Sequence, residues 1–364
     1  MAPQIRRLRI AVSGLGRMGA RHANHFLHRT PRAELVAAFT PDAREQAWAK
    51  ENLEPWGVKI YDDFEKMLQH EGLEAVCVAT VTTVHAEHTM KAIEAGKHVL
   101  CEKPLSTDLA VCQKVLATSL AHPHVKVMCG FSRRFDSSYL TAYAQTLSGQ
   151  IGRPTILRSQ TCDKHDPSGF FVAYAEFSGG IFVDCNIHDI DLSLWFFSAG
   201  TDALPKVKSV MAVGVTAIEP DLAKHGDVDN GIGVVEFHSG QIAYFYSSRM
   251  NAPGQHDMTE IIGTKGKLTV NANPTTGLLE SHLPTGIHRD IPQTYYDRFE
   301  FAFVEEARQF TDAVLDDKVV PVDMESSVEA VRIGVALQES LRSGKKLFFD
   351  EEGNQVEDGA KAKL

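Results

Sequence analysis

The chain has 364 residues, 43% of them hydrophobic and 23% charged, a composition typical of globular proteins and a length that predicts two domains. The net charge of −10 argues against nucleic acid or an anionic membrane as a partner, because both favour a basic face. No apolar run reaches the roughly 20 residues that cross a bilayer, and Met1–Arg9 shows no signal-peptide pattern. These features predict a cytoplasmic protein.

Up to about residue 129, short apolar strand patterns alternate with helical patterns. Strands are predicted over Leu8–Ser13, Glu34–Thr40, Ala75–Thr80, His98–Cys101 and Val125–Cys129. Helices are predicted over Arg17–Thr30, Pro41–Glu51, Val84–Ala95 and Thr107–Ser119. Strands that alternate with helices form crossover units in a parallel sheet, so this part is predicted to be a doubly wound domain over residues 1–128.

A glycine-rich turn, Gly14-x-Gly16-x-x-Gly19, follows the first predicted strand and opens a helix. The first glycine allows a tight turn, the second lets a pyrophosphate approach the backbone, and the third lets the helix pack on the strand. The helix N-terminus, with Arg17 and Met18, presents N–H groups and a partial positive charge to phosphates. The strand before the turn and the helix after it predict a dinucleotide site.

The end of the second predicted strand should indicate which dinucleotide is bound. NAD enzymes usually place an acid there to hold the ribose hydroxyls, whereas this chain has Thr40. Threonine does not repel a 2′-phosphate, and Arg44 is near enough to attract one. Asp42 is near enough to reach the ribose or to cap the helix that follows it. Both NAD and NADP therefore stay open.

The strand pattern His98–Cys101 runs directly into Glu102 and Lys103 and is stopped by Pro104. Strands of this apolar kind are buried in parallel sheets and seldom end in a lysine without a reason. Ligands collect at the carboxyl ends of such strands. The sequence therefore places Lys103 where a substrate would lie.

After about residue 129 the strand patterns follow one another with few helices between them. They cover Thr155–Thr161, Gly180–Cys185, Val207–Ile218, Gly231–Phe237 and Gln241–Ser248. Two late helices are predicted over Tyr295–Leu315 and Met324–Ser343. This pattern predicts a second domain over residues 129–364 that contains a large, mainly antiparallel sheet.

In this second part, Asp184 and His188 stand where a strand is predicted to end and a helix to begin. The helix dipole disfavours the protonated form of a histidine at a helix N-terminus, so a neutral His188 can accept a proton. Asp184 could orient the imidazole or hold a substrate hydroxyl. The alternative is that Asp184 and Asp189 cap the helix and His188 has no chemical role.

The cysteines show no Cys-x-x-Cys spacing. They are Cys77, Cys101, Cys112, Cys129, Cys162 and Cys185. Several lie in or beside apolar strand patterns, where cysteine acts as a small buried hydrophobic residue. We expect reduced structural thiols and no zinc or other metal site.

In combination these motifs resemble the glucose–fructose oxidoreductase/inositol dehydrogenase (GFO/IDH/MocA) family. The ordered set is Gly14-x-Gly16-x-x-Gly19, Thr80…His85, Glu102-Lys103-Pro104 and Asp184-x-x-x-His188. Gly130–Asp136 and Asp297–Glu306 resemble its myo-inositol 2-dehydrogenase branch in particular. The resemblance implies an α/β fold: an N-terminal Rossmann domain and a C-terminal α/β domain with a large mainly antiparallel sheet.

The resemblance also implies roles for individual residues. Lys103 and His188 would be the catalytic pair, with Asp184 assisting. Glu102 and His85 would line the nicotinamide region, and Thr80 and Lys103 would also belong to the cofactor site. Arg133 would contact the substrate together with Lys103, Asp184 and His188, and the Lys103–Pro104 peptide bond would be cis.

The chain departs from the family's pattern in three places. Thr80-Val81-Thr82 stands where the family has Thr-Pro, the second strand lacks its terminal acid, and the loop Arg249–Asp257 does not match the inositol enzymes. No residue of that loop is therefore given a role. These differences affect the choice of cofactor and substrate more than the chemistry.

We expect an NAD(P)-dependent dehydrogenase that takes a hydride from a secondary hydroxyl of a cyclic polyol or sugar. His188 would remove the hydroxyl proton while Lys103 stabilises the alkoxide. One alternative is an NADPH-dependent reductase of a keto-sugar or related carbonyl, favoured by Thr40 and Arg44. Others are a nucleotide-sensing regulator, against which the catalytic set argues, and a glycosidase with bound NAD.

Two further expectations concern assembly and location. The resemblance implies a homo-oligomer, a dimer or tetramer, joined through an exposed face of the second domain's sheet. The C-terminal Ala362-Lys363-Leu364 is a close variant of a peroxisomal address, which matters only if the source is a eukaryote.

Overall fold

A six-stranded parallel sheet is the framework of the N-terminal part in the computed structural model, which describes residues 6–201 and 203–357. Its strands are β1 (Leu8–Ser13), β2 (Ala33–Phe39), β3 (Lys59–Tyr61), β4 (Ala75–Val78), β5 (His98–Glu102) and β6 (Val127–Gly130). They lie in the order β3-β2-β1-β4-β5-β6, and the neighbouring strands pair in parallel. This is the Rossmann order, with the direction of winding reversing between β1 and β4, and it confirms the predicted fold.

Helices connect these strands. They are α1 (Arg17–His28), α2 (Ala43–Asn52), α3 (Phe64–Leu68), α4 (Thr82–Glu94) and α5 (Leu109–Ala121). Three of them begin after an aspartate whose carboxylate accepts backbone N–H groups of the first turn, namely Asp42, Asp63 and Asp108. All residues of β4 and β6 are buried, as expected of strands covered by helices on both faces.

All six cysteines lie in the described part of the chain, and each is a free, buried thiol. Burial raises the pKa of Cys101 and of Cys112 to about 12. These thiols therefore stay protonated at neutral pH and pack as small apolar groups, as predicted.

An eight-stranded sheet dominates the described C-terminal part. Its strands are β7 (Pro154–Cys162), β8 (Val207–Val215), β9 (Asn230–Phe237), β10 (Ile242–Ser248), β11 (His256–Gly263), β12 (Lys267–Val270), β15 (Leu347–Phe349) and β16 (Gln355–Val356). Their order is β12-β11-β7-β10-β9-β8-β15-β16. Only β7 and β10 pair in parallel in the described sheet, which confirms the mainly antiparallel prediction. β13 (Ser281–Leu283) and β14 (Gly286–His288) form a separate hairpin.

The remaining helices are α6 (Ser137–Leu147), α7 (Phe170–Ser178), α8 (Ile181–Asp184), α9 (Ile187–Phe197), α10 (Tyr295–Leu315) and α11 (Met324–Ser343). The bounds of α10 and α11 coincide with the predicted ones. No helix within residues 6–201 and 203–357 combines the length and the apolarity that crossing a membrane requires. The tripeptide Ala362-Lys363-Leu364 lies outside the described residues, and the compartment stays a prediction.

The predicted strand over Gly180–Cys185 is wrong, because this segment forms the short helix α8. Gly179 and Gly180 have φ angles of +78° and +93°, in the left-handed region that turns the chain out of an extended path. The Ile181 N–H then donates to the Asp227 carboxylate at 2.8 Å. The Phe182 ring packs so closely on β9 that a Cβ on Gly233 would lie 3.0 Å from it. Tertiary packing thus overrides the apolar, β-branched pattern.

Two compact units emerge from the contacts within the described chain. One comprises Met1–Phe135 and Phe301–Val328, and the other comprises Asp136–Glu300 and Glu329–Leu364. The predicted division of function after residue 128 is a separate matter and stays a prediction.

A buried cluster of titratable side chains lies in the first unit: His22 on α1, Glu102 at the end of β5 and Glu306 on α10. His22 Nε2 donates to Glu102 Oε1 at 2.7 Å. Burial acts to raise the pKa of Glu102, but the hydrogen bond from His22 and the charge of Lys103 outweigh it and hold that pKa below its usual value. Glu306 is fully buried, and its carboxyl oxygens have no hydrogen-bond partner among the described residues.

Burial, helped by the nearby charge of Glu102, raises the pKa of Glu306 well above its usual value. Glu306 therefore stays protonated in the folded protein at pH values where the unfolded chain, with a pKa of about 4.3, is ionised. The stability that the protonated group contributes is present below that value and is lost as the pH rises towards the folded-state pKa.

Glu306→Gln should remove this pH dependence, because glutamine has the same shape and no ionisation. We expect the thermal midpoint of the variant, relative to the wild type, to rise steadily between pH 5 and pH 8. The limiting slope is about 1.4 kcal/mol of unfolding free energy per pH unit. Thermal unfolding at four pH values measures it, with Glu325→Gln, an exposed glutamate, as the matched control. Parallel curves for wild type and Glu306→Gln would contradict an uncharged Glu306.

Candidate functional site

The glycine-rich turn after β1 is held by contacts that only glycine permits. Gly14 has a φ angle of +88°, and a Cβ there would lie 2.7 Å from Thr80 Cα. A Cβ on Gly19 would lie 1.9 Å from the Gly14 carbonyl oxygen. The turn therefore packs directly on the segment that follows β4, and the first turn of α1 packs directly on the glycine turn.

The start of α1 has the form of an anion cradle. The helix begins at Arg17, and no side chain caps its N-terminus in the described structure. A Cβ on Gly16 would contact a single neighbour within 4 Å, the Glu45 carboxylate at 3.3 Å. The surface beside Gly16 thus has room for a ligand, and the N–H groups of Arg17 and Met18 belong to the positive end of the helix. These residues fit the diphosphate of a dinucleotide.

The acid missing from the end of β2 is present one turn later, on α2. Glu45 Oε2 accepts hydrogen bonds from the Thr40 hydroxyl at 2.5 Å and from the Leu15 N–H at 3.1 Å. Sequence reasoning missed this residue. The available signal was an acid in the first turn of the helix that follows a strand ending in threonine.

Asp42 and Arg44, the other residues considered for the ribose, engage each other. Asp42 caps α2 by accepting the backbone N–H groups of Arg44 and Glu45. The Arg44 side chain pairs with the Asp42 carboxylate at 3.2 Å, and this hydrogen bond lowers the pKa of Asp42. The Arg44 side chain is 93% exposed, so this pair contributes little to stability.

His85 links the segments that follow β4 and β5. Its Nδ1 lies 2.9 Å from the Pro104 carbonyl oxygen and its Nε2 lies 3.1 Å from the Thr80 carbonyl oxygen. Burial lowers the pKa of His85, so the ring is neutral and donates through one nitrogen at a time. The peptide bond between Lys103 and Pro104 is cis, as the family resemblance implied.

Lys103 is half-buried, whereas the other residues of the described stretch Val99–Leu105 are buried. Of this stretch, Lys103 is therefore the residue that a ligand can reach. Its N–H donates to Glu102 Oε2 at 3.1 Å. The carboxyl ends of β1, β4 and β5 thus bring together Gly14, Thr80 and Lys103, with His85 and Glu102 behind them. Arg133, on a short 3₁₀ helix (Ser132–Phe135) after β6, is only 3% exposed.

In the second unit, Asp184 ends α8 and His188 lies in the first turn of α9. Throughout the described segment Gly180–Leu194, Asp184 and His188 are half-buried and the other residues are buried. No side chain caps α9 in the described structure, so the capping alternative receives no support. A histidine in this position lies at the positive end of the helix dipole.

Asp189 fixes α9 to the sheet. Its buried carboxylate accepts hydrogen bonds from Ser159 Oγ at 2.5 Å, Thr161 Oγ1 at 2.6 Å and Asn186 Nδ2 at 2.8 Å. The first two donors lie on β7 and the third precedes α9. The backbone that carries His188 therefore has a fixed position within this unit.

Asp184 has a charged partner that sequence reasoning did not identify. Arg249, directly after β10, donates from Nη2 to Asp184 Oδ2 at 2.9 Å. Across residues 6–201 and 203–357, no three His, Cys, Asp or Glu side chains come together as metal ligands would. The second unit thus offers a half-buried, paired carboxylate at the end of α8 and a half-buried histidine in the first turn of α9.

Comparison with known proteins extends this picture to the whole chain. Residues 8–131 match a family model described as "Oxidoreductase family, NAD-binding Rossmann fold". Residues 139–269 match the GFO/IDH/MocA C-terminal domain. The two matches follow each other along the chain, as the resemblance of the motifs implied.

Curated relatives and solved structures align over nearly the full length. The scyllo-inositol 2-dehydrogenase (NAD(+)) of Bacillus subtilis is 31% identical over 350 residues, covering 94% of this chain and 96% of that protein. The myo-inositol 2-dehydrogenase of Thermotoga maritima is 31% identical and covers 94% and 99%. Scyllo-inositol dehydrogenase of Lactobacillus casei, solved with bound NAD(H) and scyllo-inositol, has a TM-score of 0.88 and 32% identity, with coverage of 94% and 99%. The chain belongs to the GFO/IDH/MocA family of oxidoreductases.

Proposed function

We propose that this enzyme oxidises a secondary hydroxyl of a cyclic polyol of the inositol type, with NAD as the hydride acceptor. One observation carries the proposal: within a buried helical segment of the second unit, Asp184 and His188 reach the surface. A carboxylate and a neutral histidine are the groups that removal of a hydroxyl proton requires. The names and bound ligands of the inositol dehydrogenases described above support the same substrate class.

When bound, the nicotinamide supplies the site that accepts the hydride. His188 takes the hydroxyl proton, since the start of α9 favours its neutral form. Asp184 accepts a hydrogen bond from the substrate or from the His188 ring and keeps it oriented. Lys103 places a positive charge at the end of β5, where it stabilises the alkoxide that forms as the proton leaves.

The first unit supplies the cofactor residues of this proposal. Gly14, Gly16 and Gly19, with the N–H groups of Arg17 and Met18, hold the diphosphate. Thr80, His85, Glu102 and Lys103 form the nicotinamide side, where the His85 link keeps the segments after β4 and β5 in register. Arg133 is retained as a substrate contact by family resemblance.

We further propose that NAD is preferred to NADP, and Glu45 is the reason. Its carboxylate is held beside Gly16 by Thr40 and Leu15, at the surface where the diphosphate is proposed to bind. A carboxylate there accepts hydrogen bonds from ribose hydroxyls and repels a 2′-phosphate. Arg44 is paired with Asp42 and highly exposed, so its attraction for a 2′-phosphate is weaker than this repulsion.

We also propose that the protein is a homo-oligomer of two or four copies, formed through one face of the eight-stranded sheet. Exposed apolar side chains alternate along neighbouring strands: Ile156, Met211, Val213, Val215, Ile232, Val234 and Ile242. Met211 pairs with Val234 and Val213 with Ile232, so these side chains form one patch. Monomers rarely expose a contiguous apolar patch larger than a few hundred Å².

Lys103→Ala and His188→Ala should each lower turnover by about 10²–10⁴-fold, because each removes a group that moves or balances the proton charge. NADH binding, followed by fluorescence, should persist in His188→Ala. The wild type is first assayed on myo-inositol, scyllo-inositol and glucose, each with NAD and NADP. Lys114→Ala and His124→Ala, both exposed, are the controls. Wild-type turnover in either catalytic variant would contradict the assignment.

Glu45→Gln should weaken NADH binding and strengthen NADPH binding, since the ribose loses a charged acceptor and the phosphate loses a repelling group. The ratio of the two dissociation constants should change by about tenfold or more, as a hydrogen bond to a charged group contributes about 1.5–3 kcal/mol. Fluorescence titration without substrate measures both constants. Glu51→Gln, an exposed site on the same helix, should leave the ratio unchanged. An unaltered ratio in Glu45→Gln would reject the proposed cofactor selection.

The double variant Val213→Asp, Val234→Asp should dissociate the oligomer, because it places carboxylates in the middle of the apolar patch. Sedimentation velocity should show a species of the 40.1 kDa chain in place of the wild-type assembly. Val319→Asp, at a valine that is 88% exposed outside the sheet, is the control. A wild type that already sediments as a single chain would refute the assembly.

A further inference from the structure

Arg249 is a buried arginine of the second unit to which the proposed reaction assigns no task. It follows β10 and is only 3% exposed. Its backbone N–H donates to the Asp229 carbonyl oxygen at 2.8 Å, which fixes where its side chain begins. Its Nη2 donates to Asp184 Oδ2 at 2.9 Å, and its guanidinium carbon lies 4.4 Å from the centre of the Phe171 ring.

The surroundings of Arg249 keep it charged. Burial acts to lower the pKa of Arg249, but neighbouring groups outweigh burial and raise it. These groups are Cys185, Asp184, Asp163 and Asp227. Phe171 covers the guanidinium and excludes water there, which strengthens the attraction between Arg249 and the carboxylates.

The acids around Arg249 are not equivalent. Asp227 accepts the Ile181 N–H at 2.8 Å, and Asp163 accepts a hydrogen bond from Gln255 Nε2 at 2.8 Å. Asp184 is the acid to which the guanidinium donates directly in the described structure. The cation is thus directed at the accessible carboxylate of the site.

The guanidinium of Arg249 is only partly hydrogen-bonded in the described structure. Arg249 Nε and Nη1 are buried and have no hydrogen-bond partner among the described residues. Leaving a buried donor without a partner is energetically costly. In the described structure the guanidinium is oriented by the Asp184 carboxylate and the Phe171 ring.

We propose that Arg249 is a positioning residue for Asp184: its guanidinium holds the carboxylate at the end of α8 in one orientation and as a hydrogen-bond acceptor. The inference rests on the proposed function, because that is where Asp184 receives its role. α8 is a four-residue helix, and the Asp184 side chain is 20% exposed. The hydrogen bond from Arg249 restricts the rotation of this side chain.

This pairing separates the tasks of Asp184 and His188. A carboxylate beside a fixed cation stays ionised, so Asp184 neither donates nor takes up the substrate proton, and His188 alone accepts it. Without the cation, the negative charge of Asp184 is uncompensated, so protonation of both Asp184 and the base His188 becomes easier. The acidic limb of the pH profile of kcat/KM then moves to higher pH.

The test compares Arg249→Met, which removes the charge and keeps a long side chain against Phe171, with Arg249→Lys, which keeps the charge. Arg249→Met should lower kcat by about tenfold to 10²-fold, as misplacement of a reacting group does. Its acidic limb should shift upward by about one pH unit or more. Arg249→Lys should lose less activity and retain the wild-type limb. NADH affinity should not change in either variant. The control is Arg158→Met, since Arg158 is an exposed arginine that forms an ion pair with Glu260.

A purely structural Arg249 would lower the thermal midpoint and leave both the pH limb and kcat of the folded fraction unchanged, which would overturn the proposal. Should Arg249→Met fail to fold, Arg249→Lys decides alone. A lysine cannot reproduce the planar guanidinium contact, so kcat must fall several-fold at unchanged NADH affinity. Wild-type kcat in Arg249→Lys overturns the proposal.

A measurement without substrate separates this inference from the proposed function. The Asp184 carboxyl signal can be identified in ¹³C NMR spectra by its loss in Asp184→Asn, and then titrated. Its pKa should be higher in Arg249→Met than in the wild type, whereas Arg249→Lys, which keeps the charge, should retain the wild-type value. An equal pKa in Arg249→Met and the wild type overturns the role of Arg249. Absence of polyol oxidation by the wild type rejects the proposed function only.

Discussion

Backbone contacts in series hold together the carboxyl ends of three parallel strands, and the candidate cofactor site depends on them. Gly14, after β1, approaches Thr80, after β4, so closely that no side chain fits between them. The Thr80 carbonyl faces His85, whose other ring nitrogen faces the Pro104 carbonyl after β5. Lys103 stands immediately before that proline. Its place relative to the glycine turn is therefore set by backbone atoms and one neutral imidazole, with little dependence on long, flexible side chains.

The fold keeps similar acids in different states. Glu102 is ionised by His22 and Lys103, whereas burial keeps its neighbour Glu306 protonated. In the second unit, Asp184 faces a cation, while Asp189 is satisfied by hydroxyl and amide donors. Each environment therefore gives its acid one role. Glu102 and Asp184 accept hydrogen bonds as carboxylates, Glu306 fills space as an uncharged group, and Asp189 anchors α9 to the sheet. Sequence spacing alone cannot assign these roles, because the groups that set them come from other elements.

Features that depend on residues within one segment could be predicted from the sequence. Features that depend on partners distant in the sequence could not. The glycine turn and α10 follow from residue patterns within one segment, and so did the place of Lys103 at a strand end. Helix α8 was predicted as a strand because its starting contact comes from Asp227, 46 positions away. Arg249 escaped notice for the same reason, since its partner Asp184 lies 65 positions away. Glu45 could have been found locally, because its partner Thr40 lies only 5 positions before it, although its other partner, Leu15, lies 30 positions away. Glu45 lies beside Gly16 in the first unit, and Arg249 pairs with Asp184 in the second.

The buried thiols of the parallel sheet have a practical consequence. Cys77 and Cys101 lie on the central strands β4 and β5, and burial raises the pKa of both. Alkylating reagents attack the thiolate, which at neutral pH forms only when the sheet opens and water enters. The rate of cysteine modification therefore measures how often the nucleotide-binding sheet opens. Because a bound dinucleotide stabilises the closed form, this rate falls as the cofactor binds, and it reports cofactor occupancy without a measurement of turnover.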